Sequence, residues 1–208
     1  SLSILLVKVT TEAGVTGYGE AFSYNCLRPV QTAFDDMVAP IIVGQEVDDI
    51  GIFLGEVQQK LHLFGRYGIL MFALSGLDIA LWDIAAKTVN MPLWKLLGER
   101  KQDRLPAYAS LYRYGEPEIV AERCSQAIGE GYGSIKLHET EDREVAAARE
   151  TIGEGFPIML DTNCPWTVAE AHKRAASLRQ FRLHWLEEPI FPPENFKALA
   201  ALQEKFDI

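Results

Sequence analysis

The chain has 208 residues, 48% hydrophobic and 24% charged, the composition of an ordinary globular protein with one large or two small domains. A formal net charge of −9 excludes the clustered Lys and Arg that nucleic acid or an anionic membrane surface requires. Three cysteines (Cys26, Cys124, Cys164) have no C-x-x-C spacing and an odd count, so a reducing cytoplasm is the expected compartment.

The opening run Ser1-Leu-Ser-Ile-Leu-Leu-Val7 is apolar but has no basic residues before it, so it predicts a strand and not a signal peptide. Residues 4–10 and 16–21 are β-type runs rich in Val, Thr and Tyr, joined by the hairpin turn Thr11-Glu-Ala-Gly14. Gly17 and Gly19 alternate in the second run, which predicts close backbone approach by whatever packs on that face. Helices are predicted over 29–38, with Pro29 at the start, and over 48–61. The strongest helical signal is 68–88, where Leu70, Leu74, Leu77, Leu81 and Ala85 form an apolar stripe. Asp78 and Asp83 interrupt that segment and argue against a membrane span. A short helix at 92–97 ends at Gly98, a residue suited to a helix C-terminus. Charged residues crowd 99–104, the expected domain boundary, which divides the chain into 1–103 and 104–208.

Beyond the boundary the pattern repeats. Short apolar runs at 105–110, 134–138, 158–161 and 184–187 alternate with helix-like segments at 117–128, 142–152, 167–178 and 194–204. Runs of this length bounded by Gly or Pro suit buried parallel strands, so the fold class is α/β. Lys136, Asp161 and Glu187 follow at intervals of 25 and 26 residues. Right-handed crossovers place all the C-terminal strand ends on one edge, so Lys136, His138, Asp161 and Glu187 should converge there. Charged groups at such an edge read as catalytic or ligand-binding. A closed eight-stranded barrel needs roughly 200 to 250 residues, about twice what this segment supplies, so the sheet is either open or half a barrel.

Six short stretches carry a family resemblance. They are Gly17-Tyr-Gly-Glu-Ala21, Leu77-Asp-Ile-Ala-Leu-Trp-Asp83 with Lys87, Met91-Pro-Leu-Trp-Lys-Leu-Leu-Gly98, Lys136-Leu-His138, Leu160-Asp-Thr-Asn163 and Leu186-Glu-Glu-Pro189. In this order and spacing the chain resembles the mandelate racemase and muconate lactonizing enzyme branch of the enolase superfamily. The resemblance implies an α+β capping domain over 1–103, followed by the first half of a modified (β/α)₈ barrel over 104–208. It also implies absent parts. The first capping strand and lid loop would precede Ser1, a third metal carboxylate would follow Ile208, and a second acid/base group would lie on the sixth to eighth strands. A four-stranded sheet with an unpaired edge predicts that residues 1–208 made alone are insoluble or oligomeric.

Asp161 and Glu187 offer hard carboxylate oxygens at neighbouring strand ends, which suit Mg²⁺; read by themselves they could equally cap the following helices or pair with surface lysines. The resemblance favours Mg²⁺. Asn163 would support Asp161 from behind or make an Asx turn. Lys136 and His138 lie two apart on one strand, so both point inward while Leu137 packs outward. A lysine beside a cation and a second base should lose proton affinity, as a base that removes a proton α to a carboxylate requires. Enolase-type sites pair a Lys or His base with Mg²⁺. The family pattern is usually Lys-x-Lys, and His138 in the second position leaves open which residue is the base. Tyr24, Arg66 and Tyr67 lie where the family's capping domain reaches toward the substrate, and Trp166 follows the metal strand. For all four, packing roles compete with substrate contact.

These implications describe an Mg²⁺-dependent lyase or isomerase acting on a small carboxylate, with a sugar-acid dehydratase as the first expectation. Alternatives are a racemase or lactone cycloisomerase of the same family, or a non-catalytic barrel relative or fragment. An open doubly wound sheet of the phosphoacceptor type would explain Asp161, but neither the hairpin and helices before Leu105 nor the matched Glu187. The expected partner is the carboxylate substrate, with no nucleic acid or membrane and a homo-oligomer at full length.

Overall fold

A computed structural model describes residues 3–98 and 101–206; Ser1 and Leu2 of the opening run, Glu99 and Arg100 of the charged stretch, and Ile208 lie outside the described residues. The chain forms two compact units, Ser1–Asp103 and Arg104–Ile208.

The first unit begins with the antiparallel hairpin β1 (Leu5–Thr10) and β2 (Thr16–Ala21), in register from Leu5↔Ala21 to Thr10↔Thr16. Gly14 closes the turn at φ 83°, a left-handed conformation that glycine adopts without a Cβ penalty. Helix α1 (Leu27–Ala33) runs through a π-helical turn, Phe34–Val38, into α2 (Ala39–Ile42). The helical path is therefore longer than the predicted 29–38. Pro40 accounts for the widened turn, because its ring has no N–H to donate and crowds the carbonyl of Asp36. In α3 (Ile50–Lys60), Asp49 caps the start by accepting from the Ile52 N–H at 2.8 Å. Then come α4 (Ile69–Thr88) and α5 (Leu93–Leu97). Gly98 caps the C-terminus of α5 as expected, with nearly extended backbone at φ 159° and ψ −170°.

Helix α4 buries two stripes. Leu70, Leu74, Leu77 and Leu81 join Val30 and Ala33 of α1 and Leu54 and Val57 of α3 in one apolar cluster. Gly76, Ala80 and Ile84 meet the hairpin, where a Cβ on Gly19 would overlap the Gly76 carbonyl. This is the close approach that the alternating glycines predict. Asp83 and Lys87 of α4 face the edge of β2. Asp83 Oδ2 accepts from the Tyr18 N–H at 2.9 Å and from Lys87 Nζ at 2.7 Å, and Lys87 Nζ donates to the Thr16 carbonyl at 2.8 Å. By length and composition α4 could cross a bilayer, but half of its apolar window is buried in this packing.

The second unit is a four-stranded parallel sheet in the order β3 (Ala109–Ser110), β4 (Ile135–Leu137), β5 (Ile158–Asp161), β6 (Trp185–Glu187). Helices α6 (Pro117–Gly129), α7 (Asp142–Ile152), α8 (Val168–Leu178) and α9 (Phe196–Phe206) follow the four strands in turn. A Thr167/Glu170 capping box starts α8. Ile135, Leu137, Ile158, Leu160 and Leu186 pack with all four helices in one core. Lys136, Met159 and Trp185 share a register row, and Asp161 and Glu187 form the next, so these five residues occupy the opposite face. That face is concave. The rings of Tyr108 and Trp185 meet at 5.9 Å although they sit beside or on the two edge strands. Arg149, buried at the N-terminal side, donates to the carbonyls of Gly153, Phe156, Phe181 and Arg182 and ties the loops that lead into β5 and β6.

Candidate active site at the C-terminal strand edge

Strands β4, β5 and β6 deliver four predicted residues to one cluster. Lys136 Nζ lies 3.1 Å from Asp161 Oδ2 and 3.4 Å from Glu187 Oε2, so one ammonium stands between two carboxylates. His138 Nε2 lies 3.4 Å from the same Asp161 Oδ2. The Asp161↔Glu187 register is the reason: parallel pairing puts the two carboxylates side by side at the end of the ladder.

Each carboxylate has further partners. Asp161 Oδ1 accepts from the Asn163 backbone N–H at 3.1 Å and from Asn163 Nδ2 at 2.6 Å. The strand does not continue to Asn163; the chain turns there, with positive φ (57°) at both Asn163 and Cys164. Support of Asp161 and an Asx turn therefore occur together. Glu187 Oε2 accepts from Trp185 Nε1 at 3.1 Å. Trp185 lies two residues before Glu187 on the same face, a period-two signal that the sequence reading did not use. Glu188, at φ 47°, is exposed and leaves the strand.

Electrostatics here differ from the expectation for Lys136. Burial pulls the ammonium down, but its hydrogen bonds to Asp161 and Glu187 and their charges outweigh burial, so its proton is held more tightly than usual. The expected loss of proton affinity presupposed a cation next to the lysine, and with the two carboxylates as its partners the sign reverses.

Two residues outside the predicted set contact this edge. Arg113, in the loop after β3, donates from Nε to the His138 carbonyl at 2.5 Å and from a terminal nitrogen to the Thr162 carbonyl at 3.0 Å. Glu139 is 2% exposed and accepts from the backbone N–H groups of Tyr114 and Gly115. Nothing in residue spacing marks either, because both act through loop backbone. Trp166 is not brought to the cluster. It is 7% exposed within the helix-side core, with the Arg174 guanidinium 5.9 Å from its ring. Tyr24, Arg66 and Tyr67 belong to the first unit, where all three are exposed.

Among the described residues no group of three or more His, Cys, Asp and Glu stands together as a metal cluster. The donor chemistry nevertheless fits a hard cation in part. Two carboxylate oxygens already converge on a positive charge, with the Lys136 ammonium as the stand-in.

Residues 1–98 match the family model described as Mandelate racemase / muconate lactonizing enzyme, N-terminal domain, and residues 119–208 match Enolase C-terminal domain-like. The 3,6-anhydro-alpha-L-galactonate cycloisomerase of Streptomyces coelicolor is 34% identical over 202 residues, which is 92% of this chain and 55% of that one. The arabinonate dehydratase of Saccharolobus solfataricus is 29% identical over 198 residues, 91% of this chain and 53% of its own. A mandelate racemase/muconate lactonizing protein from Paracoccus denitrificans, solved in complex with magnesium, superposes with a TM-score of 0.87 at 28% identity. That superposition covers 98% of this chain and 58% of that one. The chain thus spans about half the length of the relatives it matches.

Proposed function

Because this chain belongs to the mandelate racemase / muconate lactonizing enzyme branch of the enolase superfamily, we propose that it carries half of a Mg²⁺-dependent site that removes the proton α to the carboxylate of a sugar acid. The observation that carries this reading is the Lys136 ammonium held between Asp161 and Glu187, with His138 on the same Asp161 oxygen. In this proposal residues 1–103 are the capping domain and residues 104–208 are the first four βα units of the barrel.

Asp161 and Glu187 would hold the cation, and Asn163 would fix the orientation of the Asp161 carboxylate. A divalent cation bound there supplies positive charge against the substrate carboxylate and so favours loss of the α-proton. Lys136 and His138 stand on one side of that position, one as the base that takes the proton and the other as its neighbour. Tyr24, Arg66 and Tyr67 are the proposed substrate contacts from the capping domain. Trp166 is left out of the proposed set because it sits in the helix-side core.

Dehydration is the preferred outcome, supported by the likeness to arabinonate dehydratase. Cycloisomerisation is the second reading, favoured by the 34% identity to the 3,6-anhydro-alpha-L-galactonate cycloisomerase. Both begin with the same proton removal. We place the full-length protein in the cytoplasm as a homo-oligomer with a small carboxylate as its partner.

Exchange of the α-proton in D₂O, screened over acid sugars with the full-length protein, tests the reading. Lys136→Met or His138→Asn should slow exchange about 10²–10⁴-fold, the larger loss marking the base. Near-normal exchange in both variants would overturn the mechanism.

A further inference from the structure

The loop between β3 and α6 is fastened to the end of β4 by several bonds. Leu111 N–H donates to the Lys136 carbonyl at 2.9 Å and continues the ladder past Ser110. The Leu111 carbonyl is bonded to His138 Nδ1. Arg113 spans the carbonyls of His138 and Thr162, the residues at the ends of β4 and β5. Glu139 lies directly after His138, and its Oε1 accepts from Tyr114 N–H at 2.7 Å while its Oε2 accepts from Gly115 N–H at 3.1 Å.

These contacts have a chemical consequence for His138. A carbonyl oxygen only accepts, so the Leu111 bond requires the proton on Nδ1. The nitrogen presented to Asp161 is then Nε2, 3.4 Å from Asp161 Oδ2. Which imidazole nitrogen faces a reaction is set by the bond that the other one makes. Leu111 can keep that bond only while its loop stays in place. The buried Glu139 carboxylate, through the Tyr114 and Gly115 N–H groups, and the Arg113 guanidinium, through the His138 and Thr162 carbonyls, hold it there.

We propose that Glu139 and Arg113 are positioning residues for His138, which lock residues 111–115 so that Nδ1 of the ring keeps its proton on the Leu111 carbonyl and Nε2 stays turned toward Asp161. The inference rests on the proposed role of His138 in proton removal, but its structural half can be read without any turnover. Arg113 acts on two backbone carbonyls and Glu139 on two backbone N–H groups, so neither is a catalytic residue. Glu139→Gln replaces one acceptor oxygen by an amide donor that would face a backbone N–H, and Arg113→Met removes both donors while keeping the stem.

The full-length protein labelled with ¹⁵N-histidine reports the ring directly, with His138 assigned by its loss in His138→Asn. The wild-type ring should carry a proton on Nδ1. Glu139→Gln and Arg113→Met should shift it toward an Nε2–H mixture, with kcat for α-proton exchange lowered about 10–100-fold and KM unchanged. Arg113→Lys, which can keep one of the two bonds, should recover part of the loss. A wild-type ring protonated on Nε2 alone would overturn the proposal, as would variants that keep both the Nδ1–H form and the wild-type kcat. Should Glu139→Gln fail to fold, the exposed Arg113 still decides the matter. If the wild type shows no exchange with any acid sugar while the ring behaves as described, the functional reading falls and the positioning role stands.

Discussion

Cys124 and Cys164 illustrate how burial sorts chemically identical groups. Cys124 on α6 is wholly buried, and burial together with the Glu139 carboxylate pushes its thiol up to about 11. Both effects disfavour the thiolate, the form that reacts. The Cys164 thiol is also raised, by burial first and then by Glu188, but its side chain is only half-buried. A disulfide reagent at pH 8 should therefore modify Cys26 and Cys164 in the native protein and reach Cys124 only at the rate of unfolding. Labelling of Cys124 as fast as Cys26 would contradict the burial described. Arg149 shows the opposite use of burial. Its guanidinium is held below its usual affinity by desolvation and spends its donors on four backbone carbonyls far from the strand-end cluster, a structural role on the side of the sheet where stability is expected to reside.

Among the elements, α4 and the hairpin depend on each other. Glycine at positions 19 and 76 lets the helix backbone approach the strand directly. Gly19→Ala should destabilise the first unit by about 3 kcal/mol, since the added methyl meets a backbone carbonyl that cannot rotate away. Denaturant unfolding measures this, and a change below about 0.5 kcal/mol would mean that the helix does not seat there. The same interface carries an ionisable link. The Lys87 hydrogen bond, then the Tyr18 N–H, hold the Asp83 carboxyl below the usual carboxylate range. A carboxyl with a depressed folded value stabilises above its unfolded pKa of about 3.9 and loses that contribution as pH falls through the folded value. Asp83→Asn should therefore cost about 1 kcal/mol at pH 7, with the difference from wild type closing as the pH drops below about 3.9. A gap that stays constant down to pH 2 would remove the charge from the explanation.

For the whole molecule, the strand-end cluster sets two carboxylates, Asp161 and Glu187, against the Lys136 ammonium. A cation that binds the folded state alone stabilises it by mass action, about 2.7 kcal/mol at a concentration 100 times its Kd. In the full-length protein Mg²⁺ should raise Tm, a chelator should reverse the rise, and Asp161→Asn should abolish most of it. A Tm indifferent to Mg²⁺ would count against the proposed cation whatever the activity. Each of the two units holds its own apolar cluster, one around α4 and one behind the parallel sheet.

The βα repeat was legible in the sequence because burial imposes lengths and periods. The apolar runs at 134–138, 158–161 and 184–187 hold strands, α7 spans the predicted 142–152, and only Ala109–Ser110 of the predicted 105–110 pairs as a strand. The convergence of Lys136, Asp161 and Glu187 followed from parallel order alone, since every strand ends on the same edge. Periodicity assigns a side chain to a face but says nothing of what will meet it there. That the Lys136 ammonium stands between both carboxylates, that Trp166 enters the core, and that Asn163 folds back on Asp161 depend on distances across the sheet and on turns with positive φ. Arg113 and Glu139 were invisible for the same reason. Glu139 acts on backbone groups of a loop 25 residues away and Arg113 on the carbonyls that follow two strands, and only tertiary packing decides which backbone each meets.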